Sequence, residues 1–311
     1  MLRIGTDCSG IEAPIQALKQ LGIPFEHKWA CEIDHYARRS ILANYQPEII
    51  YEDITKRNHS ELPDIDIYVC GFPCQSFSLM GKKLGSNDPR GNIMMHCIDA
   101  IKKKQPSIFI LENVKNFKFI EKGKPFNFLI DELASIVNED GEQLYNIYCD
   151  IYNTKDYGIP QNRERIYIIG IKSDILVNEY IKPECIEMKP LDDIIIDKTI
   201  YKKNKNFKNI NEKLEKIEYK KNYIFPNSNY VNPIKNICPT LSTRCDMFYH
   251  SSYNRYLTTT ECLLLQGFSK DFKQVVSNTQ IYKQIGNSMS VNVLKVIFNE
   301  IFNCTILNEI K

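Results

Sequence analysis

The chain has 311 residues, enough for about two domains at roughly 150 residues each, or one large domain with an insert. Its 40 basic and 38 acidic residues leave a net charge of +2, so overall charge advertises no polyanionic partner. There is no run of about 18 apolar residues to span a membrane, the first residues turn polar too early for a signal peptide, and eleven cysteines without a Cys-x-x-Cys pair argue for free thiols in a reducing, intracellular compartment, with no metal site.

Leu2–Thr6 reads as a strand, and a helix follows from about Ala13, with Pro14 tolerated in its first turn. Ile11, Ile15, Leu18 and Gly22 fall at helical spacing and would face a sheet. The turn between them, Thr6 to Ala13, holds small residues around Gly10, so a ligand can approach backbone N–H groups there. One glycine in place of three disfavours a dinucleotide phosphate site and leaves an ordinary strand-to-helix turn as the competing reading. Lys28–Cys31 is a second strand and His35–Tyr45 a second helix. Glu32 closes that strand 22 residues after Gly10, where an acid hydrogen-bonds ribose hydroxyls. Asp53 follows the next apolar step, placed to accept from an adenine amino group while Ile54 packs on the ring. Three such features at successive strand ends describe a nucleoside pocket with no phosphate grip, which suits S-adenosylmethionine better than NAD.

Ile65–Cys70 is a further strand, and it leads into Gly71-Phe72-Pro73-Cys74. A cysteine just past a strand end sits where chemistry collects in an α/β fold, and nearby N–H dipoles favour its thiolate. Gly81, Lys82, Lys83, Gly85, Arg90 and Gly91 make the next segment a glycine-hinged basic loop able to close over a polyanion. Ile93–Lys103 is helical. Ile108–Glu112 is a strand whose final glutamate points to the same sheet edge as Cys74. Phe126–Asn138 is helical; Asn146–Tyr152 and Arg165–Ile171 are strands. If the stretch before the last strand is extended, Gln161, Arg163 and Arg165 share one face and offer donors to an anion or a base carbonyl. This alternation predicts a doubly wound α/β sheet with helices on both faces.

The pattern changes near Lys172. Residues 198–221 carry nine lysines against three glutamates, a local +6 that reads either as a solvated insert or as a small basic domain facing phosphates. Thr258–Gln266 and Ser290–Phe302 are helical again and would return to the first domain.

Four short motifs occur in order: Gly71-Phe72-Pro73-Cys74-Gln75, Glu112-Asn113-Val114, Gln161-Asn162-Arg163-Glu164-Arg165 and Gln284-Ile285-Gly286-Asn287-Ser288. On them the chain resembles the cytosine-C5 DNA methyltransferase family in its compact single-chain form, over residues 1–170 and about 255–300. The resemblance implies a Rossmann-like S-adenosylmethionine-dependent sheet with a smaller inserted target-recognition domain: residues 1–171 catalytic and cofactor-binding, 172–254 target recognition, 255–311 a return segment. It implies Cys74 as the nucleophile on carbon 6 of a flipped-out cytosine, Glu112 as the partner of N3, with a carboxyl moved toward neutrality by burial, Arg165 at the O2 edge, and Arg163 supporting the loop or Cys74.

The cofactor pocket implied is Gly10, Glu32, Ile33, Asp53, Ile54, Pro73, Ile93 and Asn287, with S-adenosylhomocysteine the product. DNA contacts are expected from Gln75, Ser78, Arg90, Gln161, Thr240 and Leu241; the Thr-Leu doublet resembles the family's contact beside the flipped base. Arg255 and Tyr256 look like the segment that packs the insert back onto the large domain. Double-stranded DNA is the partner, with no membrane, a monomeric enzyme, and a place in a restriction-modification pair whose cognate nuclease the sequence does not reveal. Three departures stand out: Thr6 and Asp7 where an acid usually comes one place earlier, Cys8 and Glu12-Ala13 where an aromatic and glycines are common, and Ile93-Met94-Met95-His96 without the usual Leu-Phe-Phe character. The alternatives are a transfer-RNA cytosine methyltransferase of the same fold, whose Cys-Phe-Thr signature is absent, and a non-catalytic DNA-binding protein on this scaffold.

Overall fold

The computed structural model describes residues 1–73, 93–202, 221–226 and 233–310. Cys74, Gln75, Ser78 and Arg90, and most of the basic stretch 198–221, lie outside the described residues.

The chain divides into two units. The first comprises Met1–Tyr152, Glu164–Pro183 and Leu294–Lys311. Among its described residues is one seven-stranded sheet. Its strands are β1 (Leu2–Asp7), β2 (Phe25–Cys31), β3 (Ile49–Tyr51), β4 (Ile67–Cys70), β5 (Ile108–Val114), β6 (Tyr145–Asn153) and, after a two-residue β7 (Gln161–Asn162) in the second unit, β8 (Glu164–Lys172). The order across the sheet is β3-β2-β1-β4-β5-β8-β6. β1 to β5 pair in parallel, while β8 runs antiparallel to β5. Strand β4 and the first part of β5 read as continuous apolar runs because both of their faces are covered, while β1 buries Thr6 and Asp7 as well as Leu2 and Ile4. Trp29, Tyr68 and Phe109 are fully buried among them.

Strand order reverses at β1: the chain lays β2 and β3 on one side and then β4 and β5 on the other. Ligands of open α/β sheets bind outside the carboxyl ends of strands at such a point. Gly10, Gly71 and Glu112 all follow or end strands at that edge. The helices of this unit are α1 (Ala13–Leu21), α2 (His35–Asn44), α3 (Ile93–Lys104) and α4 (Lys124–Ala134). α1 ends on Gly22 at φ 71, whose N–H closes on Leu18 and Lys19 carbonyls. α2 starts on Asp34, whose carboxylate accepts from the Tyr36 and Ala37 N–H groups, a cap worth about 1 kcal/mol.

The second unit comprises Asn153–Arg163 and Glu184–Val293. Its described elements are β7, α5 (Leu191–Ile194), β9 (Ile224–Phe225), β10 (Cys238–Pro239), β11 (Tyr249–His250), β12 (Arg255–Tyr256), α6 (Thr259–Leu265) and α7 (Asn278–Asn287). α8 (Val291–Cys304) carries the chain back into the first unit. β12, β11 and β9 form a small antiparallel sheet around Tyr223, Phe225 and Tyr249.

Residues 255–293 and Asn153–Arg163 belong to the second unit, and the return begins at Leu294. The reason is polar. Arg255 grips Glu261 through Nη1 to Oε2 at 2.8 Å and Nη2 to Oε1 at 2.7 Å. Glu261 in turn accepts from the Ile196 N–H at 3.0 Å and completes a capping box with Thr258. Among the described residues no helix is long and apolar enough to cross a membrane.

Candidate active site

β5 ends in Glu112-Asn113-Val114. Antiparallel pairing sets Val114 opposite Arg165 and Glu112 opposite Tyr167, so Arg165 reaches back along the ladder. Its Nε lies 3.2 Å from Glu112 Oε1, with both side chains mostly out of water. Arg165 Nη1 also donates to the Glu164 carbonyl at 2.7 Å. The next residue, buried Asn113, faces the other way: its Nδ2 donates to the Phe72 carbonyl at 3.0 Å and its Oδ1 accepts from Val114 N–H at 2.8 Å. Phe72 is two residues before Cys74. Register places Cys70 beside Leu111, so the loop leaving β4 departs next to Glu112.

At the other side of β1, Glu32 is held in one orientation. Its Oε2 accepts from Gly10 N–H at 2.7 Å and its Oε1 from Asp34 N–H at 2.8 Å. Gly10 stands at φ 56, the left-handed region a side chain disfavours. Burial raises the Glu32 pKa, and the two N–H bonds partly offset that. Asp53 caps a short turn by accepting from the N–H and hydroxyl of Thr55, at 2.9 and 2.8 Å. Burial would raise its pKa, but these bonds and Lys56 outweigh it and bring it below the ordinary value. Ile54 is buried behind it, Ile33 is 76% exposed, and Pro73 is exposed. Each carboxylate keeps acceptor capacity toward solvent, so a nucleoside with ribose hydroxyls and an exocyclic amine fits the donor-acceptor set.

The unusual first motif has a structural explanation. Asp7 is fully buried and faces the interior. Arg57 grips both of its oxygens, Tyr68 Oη donates to Oδ2 at 2.6 Å, and Trp29 Nε1 donates to Oδ1 at 3.3 Å. Glu12 is also fully buried, at φ 62. Its Oε1 accepts from Thr6 Oγ1 at 2.7 Å and lies 3.5 Å from His27 Nε2. Burial pushes the Glu12 carboxyl up to about 8 and His27 down to about 4. Near neutral pH both are therefore uncharged. Nothing in the linear pattern marked Arg57; a lone arginine in a loop carries no signal until its partner is known.

The extended run over residues 161–165 is interrupted at Arg163, between strand at Gln161–Asn162 and strand from Glu164 onward. Arg163 N–H turns back to the Gln161 carbonyl at 3.1 Å, which breaks the alternation. Gln161, expected on DNA, is fully buried: its Nε2 donates to the Leu265 carbonyl and to Gln266 Oε1, and its Oε1 accepts from Leu241 N–H at 3.1 Å. Arg163, expected beside the catalytic loop, donates to the carbonyls of Leu241 at 3.0 Å, Gly286 at 3.2 Å and Ser288 at 2.6 Å. Leu241, also expected on DNA, is buried with both backbone groups taken. Thr240 is exposed and donates to the Asn162 carbonyl at 2.6 Å. Asn287 is exposed at the end of α7. Gly286 must lack a side chain, since a Cβ there would stand 2.2 Å from the Ser242 backbone. Gln161, Asn162 and Arg163 thus hold Thr240 and Leu241, Arg163 ties them to Gly286 and Ser288, and Gln266 is a further member unmarked in the sequence: its Nε2 donates to the carbonyls of Ile285 and Ser288.

An open α/β sheet with a nucleoside-type edge and a strand-end carboxylate held by arginine is the architecture of a group-transfer enzyme. The profile of the C-5 cytosine-specific DNA methylase family matches residues 8–303, and the chain belongs to that family. It is a DNA cytosine-5 methyltransferase. It is 34% identical over 287 residues to the Type II methyltransferase M1.ScrFI of Lactococcus lactis subsp. cremoris, covering 86% of this chain and 70% of that protein. It is 30% identical over 325 residues to the Type II methyltransferase M.Bsp6I of Bacillus sp. (strain RFL6), covering 97% and 99%. Among solved structures it shares its fold with a putative DNA modification methyltransferase encoded within an Escherichia coli prophage (TM-score 0.72, 22% identity, 99% and 100% covered). The Schizosaccharomyces pombe Dnmt2 methyltransferase is similar to the same degree (TM-score 0.72, 17% identity, 97% and 99% covered).

Proposed function

We propose that this enzyme methylates carbon 5 of a flipped-out cytosine within one duplex DNA sequence, through a covalent bond to Cys74. The observation that carries the reading is the joint between Glu112 and the Cys74 loop: Asn113, adjacent to Glu112, holds the Phe72 carbonyl at 3.0 Å. Cys74 adds as thiolate to carbon 6, splitting one hard step into easier ones. Glu112 shares a proton with N3, so that the ring accepts the thiolate's electrons. Arg165 donates to O2 and steadies Glu112 through the contact at 3.2 Å. The addition makes carbon 5 nucleophilic enough to take the methyl group; a base then removes the proton still on carbon 5, the ring double bond re-forms, and the carbon 6–sulfur bond breaks to release Cys74.

Gly10, Glu32, Ile33, Asp53, Ile54, Pro73, Ile93 and Asn287 would hold S-adenosylmethionine. Bound there, it supplies an electrophilic methyl group. Glu32 presents acceptors for ribose hydroxyls and Asp53 for the adenine amine, while exposed Ile33 offers an apolar cover. Arg163 and Gln161 act as positioning residues that fix Thr240 and Leu241 beside the extruded base; Gln75, Ser78 and Arg90 contact the duplex. Residues 1–171 and the return segment are read as the catalytic part and the insert as the target reader. The Type II names of relatives support a place in a restriction-modification system.

The test is transfer of labelled methyl from S-adenosylmethionine to duplex DNA, with bisulfite sequencing of DNA from expressing cells. Methyl at one cytosine context, abolished in Cys74→Ser, is expected. Methylation of RNA alone, or full activity in Cys74→Ser, overturns the reading.

A further inference from the structure

The turn that carries Asp53 and Ile54 continues into Arg57 and His59, and these two join it to the sheet and to α3. Arg57 turns both Nη atoms to Asp7 and points its Nε–H at His59 Nδ1, 3.3 Å away. His59 Nε2 lies 3.0 Å from Nδ1 of His96, in the first turn of α3. A guanidinium only donates. His59 Nδ1 must therefore accept, which puts its proton on Nε2; His96 Nδ1 then accepts, and its own proton sits on the outer nitrogen. One proton arrangement satisfies the chain, and in it both rings are neutral. A proton added at His59 Nδ1 would meet the Arg57 N–H, and one added at His96 Nδ1 would meet the His59 N–H.

We propose that the Arg57–His59–His96 chain is a positioning device for the cofactor, holding the Asp53–Ile54 turn against the first turn of α3 while both rings are neutral and releasing it on protonation. The inference rests on the cofactor reading above. Both ends of the chain carry pocket residues: Ile54 lies three places before Arg57, and Ile93 three places before His96. The charged groups facing the pair among the described residues are Arg57 on the same loop, Asp7 from β1, Asp53 from the turn and Asp99 from the next turn of α3, itself 3.0 Å from Lys103. Burial, then Arg57, brings His59 down to about 4, and burial lowers His96 as well. Acid must work against both shifts, so the release falls below neutrality.

The experiment is calorimetric binding of S-adenosylmethionine and S-adenosylhomocysteine to the full chain at about pH 8 and in steps down to about pH 4, the range in which the two lowered histidines gain their protons. Ring-nitrogen NMR of the two histidines is read alongside it. Wild type is expected to lose about tenfold in affinity on acidification, the cost of one buried hydrogen bond. His96→Leu, its fold checked by circular dichroism, should bind about tenfold more weakly at both ends of the range. His96→Asn sets an amide oxygen where Nδ1 stands; it should bind as wild type at the higher pH and lose most of the acid dependence. Both rings should carry their proton on Nε2 at the higher pH. A pH-independent wild-type affinity matched by His96→Leu overturns the proposal, as does an Nδ1–H tautomer in either ring. Wild type that binds neither compound at any pH defeats the cofactor reading, and this inference with it.

Discussion

The Asn113 amide donates to the Phe72 carbonyl at 3.0 Å, and that bond ties the end of β5 to the loop leaving β4. Of two neighbours in a three-residue motif, Glu112 thus meets Arg165 while Asn113 holds the chain two residues before Cys74. Asn113→Leu should lower kcat by about a hundredfold, since a displacement of ångström size costs that much. The stability loss should be only about 1–2 kcal/mol for one orphaned carbonyl. Single-turnover kinetics beside urea unfolding separates the two effects.

Arg165 contacts Glu112 through Nε and the Glu164 carbonyl through Nη1, so its planar fork is used at two corners. Arg165→Lys keeps the charge and loses that geometry. It should lower kcat/KM for DNA by about ten- to a hundredfold. Wild-type values in Arg165→Lys would remove the arginine from the reaction.

Asp7 and Arg57 form a desolvated pair, their side chains 0% and 4% exposed. Asp7→Asn leaves the guanidinium buried without its counter-charge, and the expected cost is about 3–5 kcal/mol in chemical denaturation. A change below 1 kcal/mol would mean that water reaches the arginine.

Glu12 titrates upward, to about 8, because it is buried. From its unfolded value to that point the folded chain keeps a proton the unfolded chain has released, so stability falls as pH rises. His27, brought down to about 4, works in the opposite sense below its ordinary value near 6.5 and is spent above it. The two offset each other in mild acid, and a loss of about 2 kcal/mol between pH 6.5 and 8 remains. Glu12→Gln should flatten that fall. Urea midpoints across this range measure it, and an unchanged slope would contradict the assignment.

Gly286→Ala puts a Cβ into the Ser242 backbone at 2.2 Å, within the second unit. The Thr240–Leu241 segment must shift, so KM for DNA should rise about tenfold or more. Cofactor affinity should fall by less, since Asn287 is the one pocket residue beside the glycine. Equal weakening toward both ligands would show that the glycine serves the fold as a whole.

The strands and most helices were legible because each carries its own signal: apolar runs for β4 and β5, helical spacing of Ile15 and Leu18 in α1, Pro14 at its start. α7 was missed, since its apolar set is only Ile281, Tyr282 and Ile285 and its start lacks a side-chain cap. Glu112 and Arg165 were named from order and motif. Gln161 and Arg163 were assigned outward roles because polar residues beside a motif read as ligand contacts; burial among carbonyls turns them inward.

What the sequence by itself determined is the list of parts: an alternating sheet, an acid at each strand end, a cysteine after a proline, and the family they resemble. These are local, written in periodicity and in neighbours along the chain. Which polar groups share a bond was decided only by the tertiary structure. Asp7 meets Arg57 fifty residues on, and Arg163 meets Ser288 across more than a hundred. Pairings at such separation depend on how the strands are ordered in the sheet, and desolvation then fixes which charges are tolerated and which side chains hold the frame.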